Sequence, residues 1–263
     1  MQSLLKFIGL LLIFGLLSCN KRSISSTAQP ISHATFDNLL QKHVTPDGSV
    51  NYKGFIADKA QLETYLTLLQ NNHPNKNWSK NEQLAYWINA YNAFTVKLIM
   101  DHYPVKSIKD IKSGIPLVNS VWDIKFINIE GQVYDLNNIE HTILRKEFDE
   151  PRIHFAINCA SYSCPKLHNR AFIAEGIDQQ LTERTRDFFA DERKNNIGKD
   201  KVVLSSIMKW YSPDFTDKGF FSWVFGGKGR TQNLIKYVNP YVAVDINPKA
   251  KIEFMDYSWA LNE

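Results

Sequence analysis

Cys159 and His154 are the residues from which chemistry is first expected. They share the stretch His154-Phe155-Ala156-Ile157-Asn158-Cys159-Ala160-Ser161. A thiol beside an imidazole becomes a nucleophile when the ring stores its proton or lowers its pKa. A third group normally orients such a base. Glu140 is the first candidate for that part and Asn89 the second. The Cys159-Ala160-Ser161 turn can offer backbone N–H groups to an oxyanion, and its small residues leave room for a carbonyl. The expected reaction is cysteine-dependent hydrolysis or acyl transfer, with a peptide or amide as substrate and no cofactor. His141 and Arg145, which share a helix face, and Ser161 and Cys164 are secondary candidates.

The same residues admit other readings. His154, Cys159, Cys164 and His168 would give zinc two thiolates and two imidazoles, though not at the usual pairwise spacings. Cys159 and Cys164 can instead close a disulfide in an oxidising compartment, which removes the thiolate. A noncatalytic binding or scaffold module needs neither, since buried histidines and free cysteines are often structural.

These side chains must be positioned by a few elements. Ile153, Phe155 and Ile157 alternate with His154, Ala156 and Asn158, which predicts a strand carrying His154 toward Cys159. Asn137 to Glu140 fits a capping box and predicts a helix from Asn138. Asn89 belongs to the clearest element. Ser79-Lys80-Asn81-Glu82 is a capping box, and from Leu84 to Met100 the helix is apolar nearly all round, so it sits in a core. Asn89 and Asn92 are then buried amides. They either bond to neighbouring loops or line a pocket. Val121–Ile129 and Gln132–Leu136 read as strands around a Glu130-Gly131 turn. Val202–Leu204 is a short strand further on, and Ile252–Met255 leads into the terminal stretch. The Gly219–Gly229 stretch is rich in glycine and aromatics but lacks the pattern of a phosphate-binding loop. The aromatic tail from Asp256 is expected to pack back on the core.

Several motifs resemble a known family. They are Leu84-Ala85-Tyr86-Trp87-Ile88-Asn89-Ala90-Tyr91-Asn92-Ala93, Trp122, Ile139-Glu140-His141 with Leu144-Arg145, the His154–Ser161 stretch, and Ser163-Cys164-Pro165. Together they resemble the domain of unknown function 547, over a core of about residues 84–190. The ending Asp256 to Asn262 is similar to how such proteins often end. The resemblance implies no agreed activity. The expected fold class is α+β: one domain over 33–263, with a small sheet from the Val121, Gln132 and Ile153 segments packed around the buried central helix. A papain- or transglutaminase-like arrangement is one such layout.

The chain's beginning reads as an address. Lys6 precedes an apolar run of about ten residues, too short to span a bilayer. The run ends at Leu16-Leu17-Ser18-Cys19, which resembles a bacterial lipobox. The resemblance implies a signal peptide over 1–18, acyl chains such as palmitate on Cys19, and a polar tether over 19–32. Asn20 points to the outer membrane, with the lipid bilayer as partner. Composition agrees with a globular envelope protein: 263 residues, 13% aromatic, and Lys+Arg 31 against Asp+Glu 27. That excess is too small to announce a nucleic-acid binder.

Overall fold

The computed structural model describes residues 26–112, 120–216 and 228–263. The leader with Cys19 and most of the glycine-rich aromatic stretch lie outside the described residues. Four helices come first: α1 (Ala34–His43), α2 (Tyr52–Ala57), α3 (Lys59–Gln70) and α4 (Lys80–His102). The cap of α4 is the one the sequence predicts. Ser79 Oγ accepts from the Glu82 N–H at 3.2 Å, and Glu82 reaches back to the Ser79 N–H at 2.6 Å. Sixteen residues of α4 are buried, from Leu84 through Met100, so it is the axis of the core.

The hairpin forms as β1 (Ile127–Ile129) and β2 (Gln132–Tyr134), antiparallel, with Ile129 opposite Gln132. Glu130 and Gly131 both take positive φ, 47° and 78°, as a two-residue hairpin turn whose twist matches its strands requires. The rest of the expected sheet does not form. Val121–Asp123 is a 3-10 turn. Pro151–Phe155 is also 3-10, so His154 is not delivered by a strand. Pro151 opens that turn with its fixed φ, and Glu150 caps it by accepting from the Arg152 N–H at 3.1 Å. A short apolar run does not by itself distinguish strand from buried helix.

The capping box at Asn137 is also corrected. Asn137 is itself helical. The cap is Asp135, whose carboxylate accepts from the Asn138 N–H at 2.5 Å. The segment that follows, Asn138–Leu144, winds as a π-helix and continues as α5 (Arg145–Glu147). The next long helix, α6, runs Ile177–Ala190. The main sheet lies beyond it. β3 (Asn196–Ile197) pairs antiparallel with β4 (Lys201–Leu204), and β4 pairs parallel with β5 (Lys251–Phe254). Helix α7 (Ser206–Trp210) follows β4.

The fold is therefore α+β, with the sheet placed late in the chain rather than on the central helix. Two apolar clusters make one compact body. One surrounds α4, and the other joins Phe188, Phe189, β4, α7 and Ile246. Phe155 belongs to the second cluster although its neighbours Ile153 and Ala156 belong to the first. The tail closes over the first cluster. Tyr162 N–H donates to Ala260 O at 2.7 Å, and Leu261 N–H to Lys106 O at 2.9 Å. Among the described residues no helix is long and apolar enough to cross a membrane.

Candidate functional site

The buried amides of α4 set the position of the cysteine turn. Asn92 donates to Ala156 O at 3.0 Å and accepts from the Asn158 N–H at 2.9 Å. Asn158 donates to Pro165 O at 2.7 Å and accepts from the Ala160 N–H at 2.9 Å. The chain from His154 to Pro165 is thus clamped at both ends of its loop. Ala160 is held at φ 58°, a region uncommon for a residue with a Cβ. Asn89 is used elsewhere. Its amide pairs with the backbone of Phe172, donating at 2.8 Å and accepting at 3.0 Å, so it orients no catalytic base.

The loop forms one wall of a cavity of 270 Å³. Cys159, Cys164, His154, Glu140 and His141 all line it, together with aromatic residues from α7 and the tail. The two cysteines are free thiols, with their sulfurs 2.8 Å apart. A disulfide bond would be about 2.05 Å. The backbone N–H of Cys159 donates to Cys164 Sγ at 3.0 Å. Two hydroxyls also reach the Cys159 sulfur, Ser161 at 3.2 Å and Tyr257 at 3.3 Å, and are themselves 2.7 Å apart.

The electrostatics of the two thiols diverge. The hydrogen bond from Cys164 lowers the Cys159 pKa most; burial opposes it; the Ser161 and Tyr257 hydroxyls add to the lowering, and the net shift is down. Cys164 moves the other way, raised well above an ordinary thiol by burial, by its bond to Cys159 and by the charge there. Cys159 is therefore the thiol of the pair that ionises more readily. Two of the oxyanion donors expected from the turn are already occupied: Cys159 N–H by Cys164 and Ala160 N–H by Asn158. The Ser161 and Tyr257 hydroxyls both contact the sulfur, and because they also bond to each other, one of them at a time has its proton free for it.

His154 finds a different third group from either one expected. Its Nε2 lies 2.7 Å from Asp214 Oδ2, and its ring stacks on Tyr211 at 4.1 Å. Asp214 also takes both ends of Arg145, at 2.6 and 2.9 Å, and Arg145 donates to His141 Nδ1 at 3.1 Å. Burial works to raise the Asp214 pKa. The hydrogen bonds from His154 and Arg145 outweigh it and hold the carboxyl well below the ordinary range. Glu140 sits apart from this dyad, with its Oε2 accepting from the Tyr91 hydroxyl at 3.3 Å. Asp214 lies sixty residues from His154 and no local spacing marks it. Tyr257 had a signal, since it falls in the tail whose ending resembled the family.

His168 does not join the cysteines. It lines a second cavity, of 590 Å³, beside Arg170 and Asp37. No cluster of three or more metal-ligating side chains exists among the described residues, so the four proposed zinc ligands do not converge. The His168 Nδ1 is buried without a hydrogen-bond partner. Burial first, then Arg184 and Arg170, lower its pKa from 6.5 to about 4. As pH falls from 6.5 toward 4, the unfolded chain therefore takes up a proton that the folded chain refuses. Stability is expected to drop by on the order of 2 kcal/mol between pH 7 and pH 4.5 from this group. Urea midpoints at the two pH values in His168→Gln should show a smaller drop than in the wild type. An identical drop in both would contradict the assignment.

Residues 75–189 match the family model described as Protein of unknown function, DUF547. No curated protein and no solved structure matches the chain. The DUF547 segment holds α4, Glu140, His154, Cys159 and Cys164. Tyr211, Asp214 and Tyr257, which complete the cavity and the dyad, come from beyond it. The site is thus built jointly by the DUF547 segment and the late sheet region.

Proposed function

We propose that this protein is a cysteine-dependent hydrolase or acyltransferase of the bacterial envelope, with Cys159 as nucleophile. The observation that carries the reading is the Cys159 sulfur, held between Cys164, Ser161 and Tyr257 on a cavity wall shared with His154. Hydrogen bonding from these neighbours would favour a thiolate, and a thiolate is the attacking species. Its lone pair would form the S–C bond to an acyl carbon. On this reading Tyr257 O–H would donate to the oxygen that becomes negative, and His154, oriented by Asp214, would protonate the leaving group. Water would then hydrolyse the thioester, or an acceptor would take the acyl group. Lipidation at Cys19 would anchor the domain to the bilayer, most simply the outer membrane, through a short tether.

The test is iodoacetamide labelling of the purified protein across pH, with mass spectrometry to locate the adduct. Cys159 is expected to label with a midpoint below the ordinary thiol value of about 8.5, and Cys164→Ala to raise that midpoint. A native Cys159–Cys164 disulfide, or a thiol that labels only after unfolding, sinks the proposal. For the anchor, Cys19→Ala should release the protein from the membrane fraction; a wild-type chain already in the soluble fraction would refute lipidation. A second reading, a noncatalytic envelope binding or scaffold module, is favoured by one observation: His154 is only 3% exposed and bonds to Asp214 rather than to Cys159.

A further inference from the structure

Asp214 takes the place beside His154 that Glu140 was expected to fill. A buried carboxylate is thereby left on the cavity wall with no part in the dyad. Glu140 is 6% exposed, and its Oε2 accepts from the Tyr91 hydroxyl at 3.3 Å. The one basic group within ion-pair reach among the described residues is His141, whose Nδ1 is 3.9 Å from Glu140 Oε1. That nitrogen is also 3.1 Å from Arg145, which can only donate to it. Arg145 itself is bound to Asp214 at both ends of its guanidinium. Of the Asp, Glu, Lys and Arg side chains among the described residues, Glu140 alone lines the cavity. The Arg145 charge is felt at Glu140 but is already paired with Asp214; a carboxylate removed from water with only a shared counter-charge is costly, and a cation entering the cavity would relieve that cost.

The rest of the lining offers a surface suited to one. Trp210, Tyr257, Trp259 and Trp122 line the cavity in a continuous run of ring contacts. Trp210 meets Tyr257 at 4.8 Å, Tyr257 meets Trp259 at 4.5 Å and Trp259 meets Trp122 at 5.4 Å. These rings have negative faces that attract cations, most strongly in tryptophan. Lys109 shows the effect at the edge of the wall, with its ammonium 3.7 Å from the Trp259 ring centre. Glu140 is presented from the π-helical segment, a distortion of the helix that recurs at functional sites.

We propose that this cavity binds an alkylammonium group, seated between the Glu140 carboxylate and the Trp/Tyr wall. The inference names the ligand class of the cavity given above as the functional site. It rests on that assignment but not on the nucleophilicity of Cys159. An anionic ligand group would meet both Glu140 and a Cys159 thiolate and is disfavoured. A cationic group offsets both, and places whatever it is attached to beside the sulfur.

Isothermal titration of the full chain with choline, n-butylammonium and 3,3-dimethylbutan-1-ol tests this. The last is the neutral isostere of choline. At least one cation is expected to bind, and choline about tenfold or more tighter than its isostere if choline is that cation. Glu140→Gln should weaken the cation about tenfold and leave the isostere unchanged. If that variant does not fold, the cation-against-isostere comparison on the wild type still decides. Failure of both cations, or equal binding of choline and its isostere, overturns the inference. Iodoacetamide labelling of the same samples separates the two claims. A fast-labelling Cys159 with no cation binding removes this inference alone. Cation binding with an inert Cys159 removes the nucleophile alone.

Discussion

Phe155→Ala is expected to cost about 3–5 kcal/mol of folding stability, the usual range for emptying a buried phenylalanine site. Phe155 is 1% exposed and its ring meets Phe188 at 4.8 Å, Phe189 at 5.3 Å and Phe215 at 5.6 Å. Its ring neighbours Phe188, Phe189 and Phe215 also pack against one another or other rings, so the cavity term is expected to add to the lost transfer free energy. The change should also reach the site. Phe155 follows His154, and Phe215 follows Asp214, so this ring contact aligns the two halves of the dyad. Urea denaturation of the variant should show a lowered midpoint with an unchanged slope. A loss below about 1 kcal/mol would mean that the second apolar cluster does not depend on the DUF547 segment for its packing.

Asp214→Asn is the second large effect. It leaves the shape nearly intact but removes the charge that Arg145 and His154 share. Arg145 and Asp214 are each about a quarter exposed, so solvent screens part of the loss. A cost of about 2–3 kcal/mol at neutral pH is expected, from charge-assisted hydrogen bonds lost in a partly buried setting. The sign with pH follows from the depressed carboxyl. In the unfolded chain Asp214 protonates near 3.8, and in the folded one only at lower pH. Its contribution is therefore complete above the unfolded value and is lost as pH falls through it toward the folded value. Wild type and Asp214→Asn should differ most at pH 6–7 and converge in acid. Denaturation curves whose separation does not shrink below pH 4 would contradict this account.

Elements that rest on local rules were legible in the sequence. The capping box at Ser79 and the apolar sweep of α4 appear as read, and so does the Glu130-Gly131 hairpin turn. The convergence of His154 and Cys159 on one cavity wall could be anticipated, because five residues cannot carry them far apart. The strand read at Ile153 failed, because alternation over six residues from Ile153 to Asn158 is too short to fix the backbone period. There Pro151 and the Glu150 cap decided for the 3-10 turn.

Which groups touch within the site was not legible. Glu140 and Asn89 are the nearest polar residues by sequence logic, yet Glu140 bonds to Tyr91 and Asn89 to the Phe172 backbone. Asp214 and Tyr257 reach His154 and Cys159 from sixty and ninety-eight residues away. By itself the sequence determined the central helix, its cap, the α+β class and the residue types available for chemistry, because hydrophobic period and capping act over a few residues. Only the tertiary structure decided the partners of those residues. Hydrogen bonds and charge pairs form between atoms about 3 Å apart in space, and that proximity is set by how two apolar clusters pack, not by any spacing along the chain.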